Sequence, residues 1–377
     1  MQRANFTGFD FNNVWYLPDN FQGNTRPFLR SEYSTTIGNA HQLQLMDMDK
    51  GASYTLAKNI DMSELKQAAG MWGGTGASAN KGFVPVGNDT NKFTGQFDGQ
   101  GFTVTGLYIN RSGTDYAGLF GYTDGAAISN AGITGGSVTG NYCVGGLAGY
   151  NKNSAIESSY ATGVVTGNDY VGGLAGMNNG TISNSYATGT VSGTNYAGGF
   201  VGYDDGGSSS YTANFWDTET SGTTLGVGSG NLDNVTGRAT SAMMTRKTFT
   251  DAGWTFNADN WGIYSAGGDV NISYPYLSKR FPAAPQIVSG TLTGDGVAGK
   301  TVRLAKGGVD YGPSSAGANR FYYFAVDSGS IAEADPYLLY ISDSAVKGGA
   351  VYKYNGPRNL DSVLSYTWEQ KRGGPSG

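Results

Sequence analysis

The apolar residues in the middle of this chain come in short bursts, three to five residues long, separated by Gly, Asn and Asp. One phrase recurs: YAGLFG at 116–121, YCVGGLAG at 142–149, YVGGLAG at 170–176 and YAGGFVG at 196–202. Its Gly-Leu or Gly-Phe pairs begin at Gly118, Gly146, Gly173 and Gly199, in steps of 28, 27 and 26 residues. A fixed period of this size points to a solenoid, in which each repeat is one turn of a stacked coil. Leu119, Leu147, Leu174 and Phe200 form one apolar column. Ile128, Ile156 and Ile182 form a second, with Val104 as an earlier and more divergent member. Val138, Val165 and Val191 form a third. Each coil thus holds three β-prone pieces, GGLAG, TISNSYATG and TVSG, with turn residues between them. Strands this short gain stability by pairing with their equivalents in the next coil, about 4.8 Å away. The predicted fold is therefore all-β: a short parallel β-solenoid with about 26–28 residues per coil over 91–222.

The flanks have a different texture. Residues 31–90 predict an N-terminal flank or cap, with short helices in NAHQLQLM and around Ser63. Residues 223–281 predict a C-terminal cap, with Thr240 as a helix N-cap and an aromatic layer of Trp254, Phe256, Trp261 and Tyr274. A longer echo links the two ends. The run from Phe6 to Trp15 matches the run from Phe249 to Trp261, and RPFLR at 26–30 matches YPYLSKR at 274–280. Residues 1–30 then read as the tail of a preceding module or as a cap, and the chain as a segment of a longer tandem array. Residues 282–286 form a linker. Residues 287–356 alternate apolar and polar positions, which predicts a small antiparallel β-sandwich. Residues 357–377 read as a linker or tag.

Composition narrows the classes. The 377 residues include 62 Gly without the three-residue period of collagen, and 25 Tyr. A net charge of −5 argues against nucleic acid, which favours a basic stripe. A single Cys excludes an intrachain disulfide. No run has the length of a membrane-spanning helix, and the first residues lack the pattern of a secretion signal.

These phrases resemble the GLUG motif, through YVGGLAG, TISNSYATG and FTGQFDGQGFTVTGLYINR. The framing segments RPFLRSEYSTTIGNAHQLQLM, LAKNIDMS and YPYL are similar to those around such repeats in filamentous-haemagglutinin-like exoproteins. VSGTLTGDGVAGKTVRLA is similar to carboxypeptidase-regulatory-like modules. The resemblance implies a secreted or surface-displayed bacterial adhesin of the two-partner secretion type. It also implies an outer-membrane export partner and further modules of the same longer chain. GLUG repeats occur beside some IgA-specific metallopeptidases, but no HExxH is found here.

Candidate chemistry is sparse. His41 is the only histidine, so a two-His metal site has too few members, and no cofactor or metal is expected. Cys143 reads as a small buried hydrophobe. Asp98, Asp124, Asp204, Asp205, Asp217 and Glu219 are the acids available for a polysaccharide-cleaving pair. Most lie in turns, where Asp braces its own backbone. Asp47-Met48-Asp49 lacks the remaining ligands of a calcium loop, and the Gly-rich stretch 74–79 lacks the context of a nucleotide site. The ligand-binding candidates are aromatic. Tyr116, Tyr142, Tyr170 and Tyr196 recur once per coil, and Tyr160 and Tyr186 form a second, shorter row. Stacked rings can tie coils together or serve as a ladder for sugar or peptide. The favoured reading is a non-enzymatic stalk with a shallow multivalent surface for a glycan or protein. The alternatives are a polysaccharide-degrading β-helix enzyme and a purely structural filament.

Overall fold

A computed structural model describes residues 6–18, 25–67, 70–73, 81–207, 209–263, 273–281, 285–293, 300–315, 320–327, 329–332, 335–341, 349–353 and 364–365. The Gly-rich stretch 74–79, most of the 282–286 linker and nearly all of 357–377 lie outside the described residues.

The centre of the molecule is a parallel β-solenoid of about five turns. One full coil shows the design. Tyr142–Gly145 forms a short outer strip, Ala148–Glu157 the first wall, Tyr160–Ala161 the second and Val164–Thr166 the third. The next coil begins at Asp169–Gly172. Each strand pairs in parallel with its equivalent one coil on. The first wall also extends through Ser53–Leu56 to Thr36–Ile37 on one side and to Val227–Ser229 on the other. The second reaches from Ile60–Asp61 to Val235–Arg238.

The TISNSYATG piece is one β-prone run in sequence but two strands in space. It breaks at Asn130, Ser158, Asn184 and Ala213, all with positive φ. Such a residue turns the chain sharply, and Asn is the side chain that best tolerates this conformation. The break puts Ile156 on the first wall and Tyr160 on the second. The GLAG phrase also divides, into the outer strip and the start of the first wall.

The three apolar columns are buried in a single core. Ile128, Ile156 and Ile182 pair in register, as do Val138, Val165 and Val191. Leu119, Leu147, Leu174 and Phe200 are fully enclosed. Val104 is corrected: it pairs with Ile133, while Phe97 occupies the isoleucine column beside Ile128. The period alone missed this because the coil from Phe97 to Ile128 spans 31 residues, longer than the 28 and 26 of the next two.

Polar ladders run beside the apolar columns. Asn151 Nδ2 donates to Asn178 Oδ1 at 2.7 Å, and Asp204 stands next in register. At the neighbouring corner, Ser159 Oγ accepts from Ala131 N at 3.2 Å, Ser185 Oγ from Ser159 N at 3.1 Å and Asn214 Oδ1 from Ser185 N at 3.1 Å. Each buried side chain thereby satisfies a backbone group that the turn would otherwise orphan.

The flanks close the stack. The helix Ala40–Leu45 is capped by Asn39, whose side chain accepts from Gln42 N. Gln44 is fully buried and bridges Trp72 Nε1 and the Val84 backbone. Thr240 is not the N-cap of its helix. It is the first residue of Thr240–Met243, and the cap position, Ala239, offers no side-chain bond. Carboxylates from the preceding turn do that work: Glu219 Oε2 accepts from Thr240 N at 2.9 Å, and Asp217 Oδ2 from Thr240 Oγ1 at 2.8 Å. The aromatic layer from Phe249 to Tyr274 lies along the outside of the second wall, not over the end of the stack. Beyond it, two small antiparallel sheets enclose a separate core of residues such as Val288, Leu304, Tyr322 and Leu339.

Candidate functional site

The outer strip folds back on the first wall with almost no side chain between them. A Cβ placed on Gly176 would lie 2.3 Å from Val144 N and 2.4 Å from Cys143 C. One placed on Gly202 would lie 2.3 Å from Tyr170 C. Backbone packs on backbone, so the glycine of GLAG is required by close approach. The strip's Val144 and Val171 are buried in the core, while its Tyr142 and Tyr196 stay exposed. This is what creates an aromatic belt.

The belt has two rows. One is Tyr116, Cys143, Tyr170 and Tyr196, all with positive φ. The other is Tyr122, Tyr150, Met177 and Tyr203, paired in register on the first wall. The single tyrosine column expected from sequence is corrected at Tyr142. That residue pairs with Asp169, and Cys143 takes the place held by tyrosine in the other coils. The row-mates of Cys143 are tyrosines. Between Tyr and Leu, YCVGGLAG has one residue more than YVGGLAG, which shifts Tyr142 one position out of register with Tyr170. Cys143 is buried, 3.7 Å from Met177 Sδ, and burial pushes its thiol well up.

Tyr142 still joins the belt from its displaced position. Its ring meets Tyr170 edge-on at 4.7 Å. Tyr170 stacks on Tyr203 at 4.6 Å and approaches Tyr196 at 5.4 Å. On the other side of Cys143, Tyr116, Tyr122 and Tyr150 form a second cluster with centroids 4.8 to 6.4 Å apart. Exposure rises along the belt: Tyr122 and Tyr150 are buried, Tyr142 is 36% exposed and Tyr196 48%. Tyr150 Oη donates to Asp205 Oδ2 at 2.6 Å. Its hydroxyl is pushed well up by burial and by that carboxylate. The hydrogen bond with Tyr142, followed by burial, raises Tyr170 to about 12. Burial raises Tyr116 to about 12. These phenols are therefore neutral near pH 7. The belt offers ring faces and hydroxyl groups for hydrogen bonding.

A polar row borders it. Asn141 Nδ2 donates to Asp115 Oδ1 at 2.8 Å, Thr194 Oγ1 to Asn168 Oδ1 at 3.0 Å and Asn195 Nδ2 to Asp169 Oδ1 at 2.6 Å.

Tyr160 and Tyr186 do not form a docking row. Their rings stack at 4.9 Å with planes 2° apart, and both are buried beneath Trp254, Trp261 and Tyr274. Tyr186 Oη donates to Pro275 O at 2.7 Å. Sequence alone cannot distinguish this covered row from the open one, because the cover comes from residues some 90 positions away.

The acids are engaged structurally. Asp98 accepts from Gln100 N and Asn130 Nδ2, and Asp124 from Asn153 Nδ2. Asp204 accepts from Gly206 N and Asn231 N, while its neighbour Asp205 faces the belt. Asp217 is buried and receives Tyr274 Oη, Thr240 Oγ1, Glu219 N and Thr220 N. Burial nevertheless raises its pKa. His41 lies between Glu32 Oε2 at 2.8 Å and Glu64 Oε2 at 3.7 Å in the N-terminal flank. Among the described residues no three His, Cys, Asp or Glu side chains converge as a metal site requires.

Fold and belt together define a GLUG-repeat β-solenoid segment. The GLUG motif matches this chain at residues 140–166 and 167–192, two consecutive coils. The chain is similar to halomucin of Haloquadratum walsbyi, at 35% identity over 150 residues, covering 38% of this chain and 2% of halomucin. It is also similar to a protein named as a Gly-rich membrane protein of Evansella cellulosilytica, at 30% identity over 108 residues, covering 28% of this chain and 11% of that protein. The chain thus matches only a small fraction of the length of either relative. No haemagglutinin or carboxypeptidase-regulatory-like module was identified, and no solved structure matches significantly.

Proposed function

We propose that this chain is a non-enzymatic segment of a large secreted or surface-exposed adhesin, in which the solenoid is a rigid stalk and the tyrosine belt a shallow binding surface for glycan or protein. The observation that carries the reading is the belt itself. Tyr142, Tyr170, Tyr196 and Tyr203 present linked ring faces on a rail of paired backbone, bordered by Asn, Asp and Thr side chains. Rings held in this way lose little conformational freedom on binding. Repetition along a longer chain would turn weak contacts into retention. The surface location draws on the membrane-protein name of one relative and the great length of both. Export through an outer-membrane partner belongs to the same proposal.

The test is a glycan and host-protein array probed with the chain and with the triple variant Tyr142→Ser, Tyr170→Ser, Tyr196→Ser. Retention by the parent chain, lost in a variant with an unchanged circular dichroism spectrum, supports the reading. Glycan cleavage abolished by Asp205→Asn would replace it with an enzyme. A chain that is retained nowhere would leave only the stalk.

A further inference from the structure

The echo between the two ends is also an echo in space. Trp15–Tyr16 pairs antiparallel with Phe28–Leu29, and Trp261–Gly262 pairs antiparallel with Tyr276–Leu277. Arg30 N donates to Val14 O at 2.9 Å, and Ser278 N to Asn260 O at 2.8 Å. Each ribbon is preceded by an Asx turn, at Asp10 and at Asn257, and followed by a 3-10 turn. Both also carry an aromatic cluster. Phe6 and Phe9 lie 5.3 Å apart and Phe9 lies 4.8 Å from Trp15; Phe249 and Trp254 lie 4.8 Å apart and Trp254 lies 4.5 Å from Trp261.

The two clusters differ in what covers them. Phe249, Trp254 and Trp261 are buried on the second wall, against Tyr160, Tyr186 and Phe215, and Trp254 Nε1 donates to Ala213 O. The N-terminal ribbon instead seats its opposite side on the N-terminal flank. Phe28 packs edge-on to Trp72 and His41, and Tyr16 Oη donates to Asp47 Oδ2. Its cluster is less covered: Phe9 is 39% exposed, and Phe6 and Trp15 are half-buried. Burying such rings removes apolar area from water, which favours association.

We infer that the Phe6–Phe9–Trp15 cluster docks on the aromatic second wall of another GLUG solenoid of the same type. The ribbon is then a clip, joining the flank of one solenoid to the side of another. The occupant is fixed by the contact this chain already makes: the equivalent cluster sits on stacked tyrosines and a phenylalanine. In a second copy of the intact chain that wall is already covered by its own Trp254 and Trp261, so intact copies stay apart.

Sedimentation of the full chain tests this. The variant Trp254→Ala, Trp261→Ala uncovers the wall while leaving the first ribbon unchanged. It should associate in a concentration-dependent way, and adding Phe9→Asp should weaken that association by about tenfold or more. Intact chain should remain monomeric. A second variant guards against misfolding: grafting residues 6–16 in place of 249–262 should keep the hydrogen-exchange protection of Tyr186 and Phe215. Association that persists with Phe9→Asp would overturn the inference. So would an uncovered variant that stays monomeric, or a graft that loses the protection of Tyr186 and Phe215.

Discussion

Replacing Gly176 by alanine should be a strongly damaging single-methyl change in the solenoid. The new Cβ would meet Val144 N at 2.3 Å, Cys143 C at 2.4 Å and Gly149 O at 2.7 Å, all backbone atoms. Restoring even a tight contact of 3.4 Å requires 3.4 − 2.3 = 1.1 Å of retreat. No rotamer change can supply it. The strip carrying Cys143 and Val144 would have to move. That strip holds the bond from Ala117 N to Cys143 O at 3.1 Å and the pairing of Val144 with Val171. Overpacking costs about 1–3 kcal/mol, and each hydrogen bond lost adds about 1 kcal/mol. The expected destabilisation is about 3–5 kcal/mol. Because each coil depends on its neighbours, the damage should spread along the stack. Guanidinium unfolding followed by far-UV circular dichroism measures it, with Gly113→Ala as the control. A Cβ at Gly113 meets nothing within 4 Å, and that variant should unfold within about 0.5 kcal/mol of the parent. A Gly176→Ala midpoint equal to that of Gly113→Ala would refute backbone-on-backbone packing as the reason for the GLAG glycine.

Other perturbations probe the remaining supports. Asn214→Ala strips the acceptor from Ser185 N and the donor from Ile182 O; it should cost about 2–4 kcal/mol in the same unfolding assay. Cys143 is enclosed and its thiol is pushed up by burial, so iodoacetamide should modify it only in denaturant, as mass spectrometry would show. Burial raises the Asp217 pKa above its unfolded value near 3.8. The folded state therefore holds the proton more tightly, and this group's contribution to stability is full below 3.8 and falls as pH rises through the folded pKa. Thermal unfolding between pH 3 and 6 should show the parent losing stability relative to Asp217→Asn over that window.

Much of the solenoid is legible in the sequence because its apolar columns repeat. Leu147 and Leu174, or Ile156 and Ile182, occupy the same place relative to the same phrase. What the sequence hides is register at the insertion. Tyr142 looks equivalent to Tyr170, yet one extra residue gives that place to Cys143. Also hidden is what covers each row. Tyr160 and Tyr186 repeat as regularly as the belt tyrosines, but Trp254 and Trp261 fold over them. Thr240 shows a related limit. Its residue type suits a cap, while the carboxylates that serve its helix come from the preceding turn. A repeat reports local equivalence; long-range packing decides which equivalent rows remain open.

The claim that binding runs along the belt makes a length prediction. From the Tyr116 coil to the Tyr196 coil there are three coil steps, about 14 Å at roughly 4.8 Å each. Calorimetric titration of the chain with a retained glycan or peptide, in a series of increasing length, measures this directly. The account predicts affinity that rises with length until the ligand spans the belt, and that is lost in the triple serine variant. Full affinity for a single unit, unchanged by those substitutions, would place binding elsewhere and contradict it.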